Sequence, residues 1–132
     1  MNINPLCTLT EPLDIVTALL LSLIKSTGEI TKEQKMLLIT VLSKNFSVSA
    51  QEASDSFAQV SFLMRDAIDI TAILSQMLAP IKGSSQAQIL SLNQMMTDVV
   101  TENHTVTPNE YQNTLINKVM SFLQHQDKQI PA

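Results

Sequence analysis

Acidic side chains gather around two short stretches of this chain, and together they would make a hard-cation site. Glu29 and Glu33 stand at the first stretch; Asp98, Glu102 and Glu110 stand at the second, with His104 beside Glu102. A divalent cation wants several oxygens at close range, charged ones above all. Asp98 and Glu102 are four apart, so on a helix they share a face. His104 offers a nitrogen ligand, or a group that titrates near neutral pH. If the two stretches met, Glu29, Glu102 and Glu110 would supply three carboxylates to one metal or small ligand. The same residues also have plain structural work. Glu110 suits a reciprocal helix cap, and Glu33 suits the positive end of a helix. Gly28 suits the left-handed residue that ends a helix, and His104 reads equally as a solvated loop histidine.

The elements that must position these groups are helices. Hydrophobic residues make up 45% of the 132 and charged ones 15%, while aromatics are 4% and glycines number two, so the core is aliphatic and the turns are few. Ser or Thr is followed three residues later by Glu or Gln at several places, among them Thr31/Gln34, Ser49/Glu52, Ser85/Gln88 and Thr107/Glu110. That reciprocal pairing satisfies the orphan amides at a helix start. Apolar residues follow each at helical spacing: Leu38, Val41 and Leu42; Ala53, Phe57, Val60 and Met64; Ile89, Leu92, Met96 and Val99; Tyr111, Leu115, Val119 and Phe122. Pro108 suits the first helical position after Thr107.

Two further helices are expected, one beginning after Pro12 and running through Ile24 and one carrying Ile70, Ile73, Leu74, Met77 and Leu78. The first holds Asp14 and is too short to span a bilayer, so it reads as a buried helix, not a membrane segment or leader. Asp66 is a possible cap for the second. The stretch from Ala79 to Ser85 reads as the connection between halves. The expected fold is therefore all-α, a single-domain bundle of about six helices. Its bounds are an N-terminal arm at 1–11, the domain at 12–125 and a frayed tail at 126–132, in which His125 has no assigned role. Met64, Met77, Met95 and Met96 fall on the faces that carry Leu and Ile, so they read as core and not as a soft-metal site.

The two acidic stretches are also copies of one unit. Ile24-Lys-Ser-Thr-Gly-Glu-Ile-Thr-Lys-Glu-Gln34 and Val100-Thr-Glu-Asn-His-Thr-Val-Thr-Pro-Asn-Glu110 lie 76 positions apart, which implies two pseudo-repeated halves with the turns in matching places. Thr27-Gly-Glu-Ile-Thr-Lys-Glu-Gln34 resembles the Asp-Gly-x-Ile-x-x-x-Glu signature of the tellurite-resistance TerB-like family, and Asn103-His-Thr-Val-Thr-Pro-Asn-Glu110 resembles its second copy. The resemblance covers most of the chain. It implies an all-helical domain with one acidic turn in each half, a divalent-cation site formed by those acids, and work in tellurite response, another stress response or a scaffolding complex. Position by position, the family aspartate falls on Thr27 and Asn103, and its glycine on Gly28 and His104. Its closing glutamate falls on Gln34 and Glu110.

Function classes narrow accordingly. The chain has no Gly-rich phosphate loop, no His-Glu-x-x-His pair, no Glu-x-x-His motif of a di-iron bundle and no nucleophile-base pairing, so an enzyme is not expected. Eight basic residues are scattered singly and net charge is −4, which argues against nucleic acid. Cys7 is the lone cysteine, so an internal disulfide is excluded and a reducing, cytoplasmic setting is expected. No membrane partner is expected; a protein partner is, and a homodimer is compatible with the composition. The expected role is a non-catalytic interaction or scaffold domain without a cofactor. The alternative is a divalent-cation or small-ligand module using Gly28, Glu29, Glu102, Asn103, His104 and Glu110.

Overall fold

One helix in this chain is apolar on every side and must be enclosed by the others. The computed structural model describes residues 4–66 and 69–128, with the side chains from 125 onward outside the description. Among the described residues six α-helices run in order: α1 (Pro12–Lys25), α2 (Lys32–Phe46), α3 (Ala50–Leu63), α4 (Leu74–Leu78), α5 (Gln86–Val100) and α6 (Glu110–Lys128), with 3-10 turns at Pro5–Thr8, Ile70–Ile73 and Ala79–Ile81. In α1 every residue from Ile15 to Ile24 is buried. An all-round apolar helix cannot lie at a surface. It touches α2, α3, α5 and α6, which close around it.

The surrounding helices show single apolar stripes, as their spacing predicts. Leu38, Val41 and Leu42 of α2, Ala53 and Val60 of α3, Ile89, Leu92, Met96 and Val99 of α5, and Leu115 and Val119 of α6 all reach the core; Phe57, Tyr111 and Phe122 pack at its edge. Met64, Met77, Met95 and Met96 are buried among them. Residues 5–9 also contribute, because Leu6 and Leu9 are buried and Cys7 Sγ donates to Gln76 Oε1 at 3.3 Å. Polar groups that enter the core come with partners. Thr17 and Ser56 lie 2.9 Å apart between α1 and α3, and Ser56 Oγ donates to Asp14 Oδ1 at 2.7 Å. Every buried side-chain nitrogen and oxygen among the described residues has a hydrogen-bond partner.

Most helix starts follow the sequence. Thr31/Gln34 and Ser85/Gln88 form complete capping boxes, and Ser49 Oγ accepts from Glu52 N–H. The third and fourth helices are separate, but Asp69 and not Asp66 supplies the cap before Ile70. Asp69 accepts from both Thr71 N–H and Thr71 Oγ1; those bonds, with Lys118 adding its charge, hold its carboxyl below the ordinary aspartate range. The segment carrying Ile70 to Leu78 forms a 3-10 turn followed by a five-residue α4, not one continuous helix. Of the tail expected at 126–132, residues 126–128 continue α6 and 129–132 lie outside the described residues.

Because α1 is enclosed from Ile15 to Ile24, a large-to-small change there leaves a cavity in the core. Leu20→Ala is expected to cost about 3–5 kcal/mol, measured by urea unfolding, whereas Leu90→Ala on the exposed face of α5 is expected to stay within about 0.5 kcal/mol.

Candidate functional site

The two repeated turns come together at Ser26 and Asn109, and amides and hydroxyls make the contact. The first turn, 26–31, leaves α1, whose last carbonyls have no further helical turn to accept from. Ile24 O accepts from Thr27 N and Thr27 Oγ1, and Lys25 O accepts from Gly28 N. Gly28 has φ +119, which a side-chain-bearing residue adopts only with strain. Leu23 O accepts from Ser26 Oγ at 2.7 Å and from Gln112 Nε2 at 2.9 Å. The second of these bonds is buried and joins residues 89 apart in sequence. Asn109 Nδ2 donates to Ser26 Oγ at 3.3 Å, and the Tyr111 and Ser22 hydroxyls lie 3.1 Å apart. Three side chains of the second half thus reach the end of α1 and the turn after it: Asn109, Tyr111 and Gln112.

The cap of α6 differs from the expected one. Asn109 Oδ1 accepts from Gln112 N at 2.8 Å and Gln112 Oε1 accepts from Asn109 N at 2.9 Å, so the box is Asn109/Gln112 and not Thr107/Glu110. Pro108 accordingly precedes the cap instead of opening the helix. The signal was present in the sequence, since Asn is as good a cap as Thr and Gln stands three residues on. The second turn, 101–109, has nine residues against six in the first. Helix ends Lys25 and Val100 therefore lie 75 apart, while caps Thr31 and Asn109 lie 78 apart, and the structural counterpart of Gln34 is Gln112 rather than Glu110.

The extra residues are absorbed by strained backbone. Glu102, Asn103 and His104 have φ of 45°, 60° and 73°, three left-handed residues in succession. Local bonds hold them: Asn103 N to Asp98 O, His104 N to Thr101 Oγ1, and Thr105 N and Val106 N to Thr101 O. His104 and Asn103 are exposed and Glu102 is half-buried.

The predicted acids are not among the groups that meet. Glu29 and Glu110 are exposed, and Glu110 is the first residue of α6, where its charge faces the positive end of the helix. Among the described residues no group of three or more His, Cys, Asp or Glu is placed to hold a metal ion. At the junction itself the donors are neutral, and each is already engaged in a cap or a cross-bond. That set does not fit a hard divalent cation, which needs charged oxygens free to point inward.

Sequence reasoning missed one concavity. At the opposite end of α1 from the turns, a cleft of about 550 Å³ is lined by Val16, Phe46, Ile81, Leu92 and Met95, with Asn45 at its polar side. No local motif marks it, since its walls come from four separated segments.

A family model described as tellurite resistance protein TerB matches residues 14–131. The chain belongs to the TerB family. No curated protein and no solved structure gives a significant match. The TerB match takes in both halves and both turns, so the neutral junction sits inside the region that defines the family. No helix among the described residues is long and apolar enough to cross a membrane.

Two outcomes follow from the cap geometry and from the strained turn. Asn109→Ala is expected to cost about 1 kcal/mol in urea unfolding, and Thr107→Ala close to nothing, because only the former caps α6. His104→Gly is expected to stabilise the chain by about 0.5–1 kcal/mol, since glycine takes φ 73° without steric conflict.

Proposed function

We propose that this TerB-family chain is a non-catalytic helical interaction domain that serves tellurite or a related stress response in the cytoplasm by engaging a protein partner. Family membership supports the stress role, and the lone thiol of Cys7 suits a reducing compartment. The observation that carries the contact role is a pair at the end of α3. Phe62 is 62% exposed, an unusual state for a phenylalanine in a chain with only four. Arg65, the sole arginine, lies with its guanidinium 4.1 Å from the Phe62 ring centroid, and its Nη1 donates to Phe62 O at 2.8 Å.

Such a pair is suited to binding for two reasons. Aromatic residues and arginine dominate interface hot spots, where a large rigid surface is desolvated at small entropic cost. Here the guanidinium is already fixed by its carbonyl bond and its stacking, so less freedom is lost on association. Neither contact serves the core, since Phe62 points away from it.

The test uses a strain lacking this chain, complemented with wild type, Phe62→Ala or Arg65→Ala, and scored for growth in tellurite. Wild type is expected to restore tolerance. Phe62→Ala is expected to fail, through loss of at least about 2 kcal/mol of partner affinity or roughly 30-fold. Its thermal midpoint is expected to stay within about 2 °C of wild type, as an exposed residue's should. Full complementation by Phe62→Ala, or undiminished tolerance without the chain, would overturn the proposal.

A further inference from the structure

We propose that the junction of the two turns is a latch that works without a divalent cation, with the Gln112 side-chain amide joining the two halves directly. This goes beyond the interaction role proposed above and does not rest on it. The family pattern calls for carboxylates at the turns, and two acidic turns brought together would repel unless a cation lay between them. In this chain the closing position of each turn is an amide, Gln34 in one and Gln112 in the other. A side-chain amide has an acceptor and a donor on the same carbon, and a carboxylate has acceptors alone.

Gln112 uses both ends. Its Oε1 accepts from Asn109 N and closes the cap of α6, while its Nε2 donates to Leu23 O at the end of α1. The side chain is 3% exposed and the bond to Leu23 is buried, so water is poorly placed to replace the donor to Leu23 O. A carboxylate there would keep the cap and set a charged oxygen against the Leu23 carbonyl oxygen, 2.9 Å from the atom that now donates. Gln34 makes the same cap through Oε1, but its Nε2 reaches only Thr27 Oγ1 within its own turn, at 3.5 Å. The Thr27 hydroxyl can turn from Ile24 O, which keeps Thr27 N–H as its donor, and donate to a carboxylate; a carbonyl has no proton to give. The two equivalent substitutions therefore have unequal consequences, and Gln112 is a positioning residue that sets one half against the other.

The experiment is thermal unfolding of the full chain, stripped with chelator and then measured with chelator alone or with Mg²⁺, Ca²⁺ or Mn²⁺. An ion that binds the native state must raise the midpoint. Wild type is expected to unfold at the same temperature, within about 1 °C, in all four conditions. Gln112→Glu is expected to lower the midpoint by about 5–10 °C, with no recovery on adding any ion, while Gln34→Glu shifts it by less than about 2 °C. Should Gln112→Glu yield no folded protein, Gln112→Met fills the same space without the donor to Leu23 O or the acceptor for Asn109 N, and without a buried charge, and is expected to lower the midpoint by less. A rise of the wild-type midpoint with any of the three ions would overturn the latch as described. So would a Gln112→Glu or Gln112→Met midpoint equal to wild type, or Gln34→Glu proving as damaging as Gln112→Glu.

Discussion

Enclosing α1 on all sides creates the problem that the rest of the structure solves. A helix buried from Ile15 to Ile24 contributes a large apolar area to the core, and it leaves the Leu23 carbonyl at its end in need of a buried partner. Unsatisfied, each buried carbonyl would cost of the order of 1–3 kcal/mol. The chain meets this in two stages. Ser26, Thr27 and Gly28 fold back onto Leu23, Ile24 and Lys25, and Gln112 arrives from the other half to complete Leu23. The start of α6 is thus held by the same carbonyl that the burial of α1 left in need. Lys25 extends the logic to α3, donating its Nζ to Met64 O at 2.8 Å.

How much of this could be read from residues alone depends on range. The unbroken apolar run from Leu19 to Leu21 announces a buried helix, and Thr31/Gln34 and Ser85/Gln88 announce their starts, because those signals lie within a few residues of one another. The expected six helices and all-α fold rest on such signals. The Thr107/Glu110 box failed on a local ambiguity: two overlapping caps fit the pattern, and the choice between them is made 89 residues away. Only the Asn109 register sends Gln112 inward to Leu23 and lets the Tyr111 hydroxyl meet Ser22. Short 3-10 turns at Ile70–Ile73 and Ala79–Ile81 were similarly invisible, since their periodicity over so few residues resembles that of a helix.

The displaced register also explains why a motif alignment by sequence misleads about chemistry. Aligning at a constant 76 positions matches Gln34 with Glu110 and suggests that one acid survives. Aligning by the caps matches Gln34 with Gln112, two amides doing the same job, and leaves Glu110 as an exposed first-turn residue. The three residues that separate the two turn lengths are taken up at Glu102, Asn103 and His104, so the residues that looked most like ligands are those bent to span the gap.

A neutral junction has a consequence for where function can reside. A cation bridging two acidic turns would make the fit of the halves depend on ion concentration, and the turns would be a natural switch. An amide-to-carbonyl bond buried beside the core has no such dependence, because neither partner titrates near neutral pH. With the turn end a fixed joint, the proposed partner contacts fall on the outer faces, where Phe62 and Arg65 stand at the end of α3. Lys25 connects the two regions physically, since its bond to Met64 O anchors the residue that follows α3 to the end of α1. On the proposed reading, the latch steadies the end of α3, and a binding surface of one aromatic and one guanidinium would gain from that rigidity more than a broad surface would.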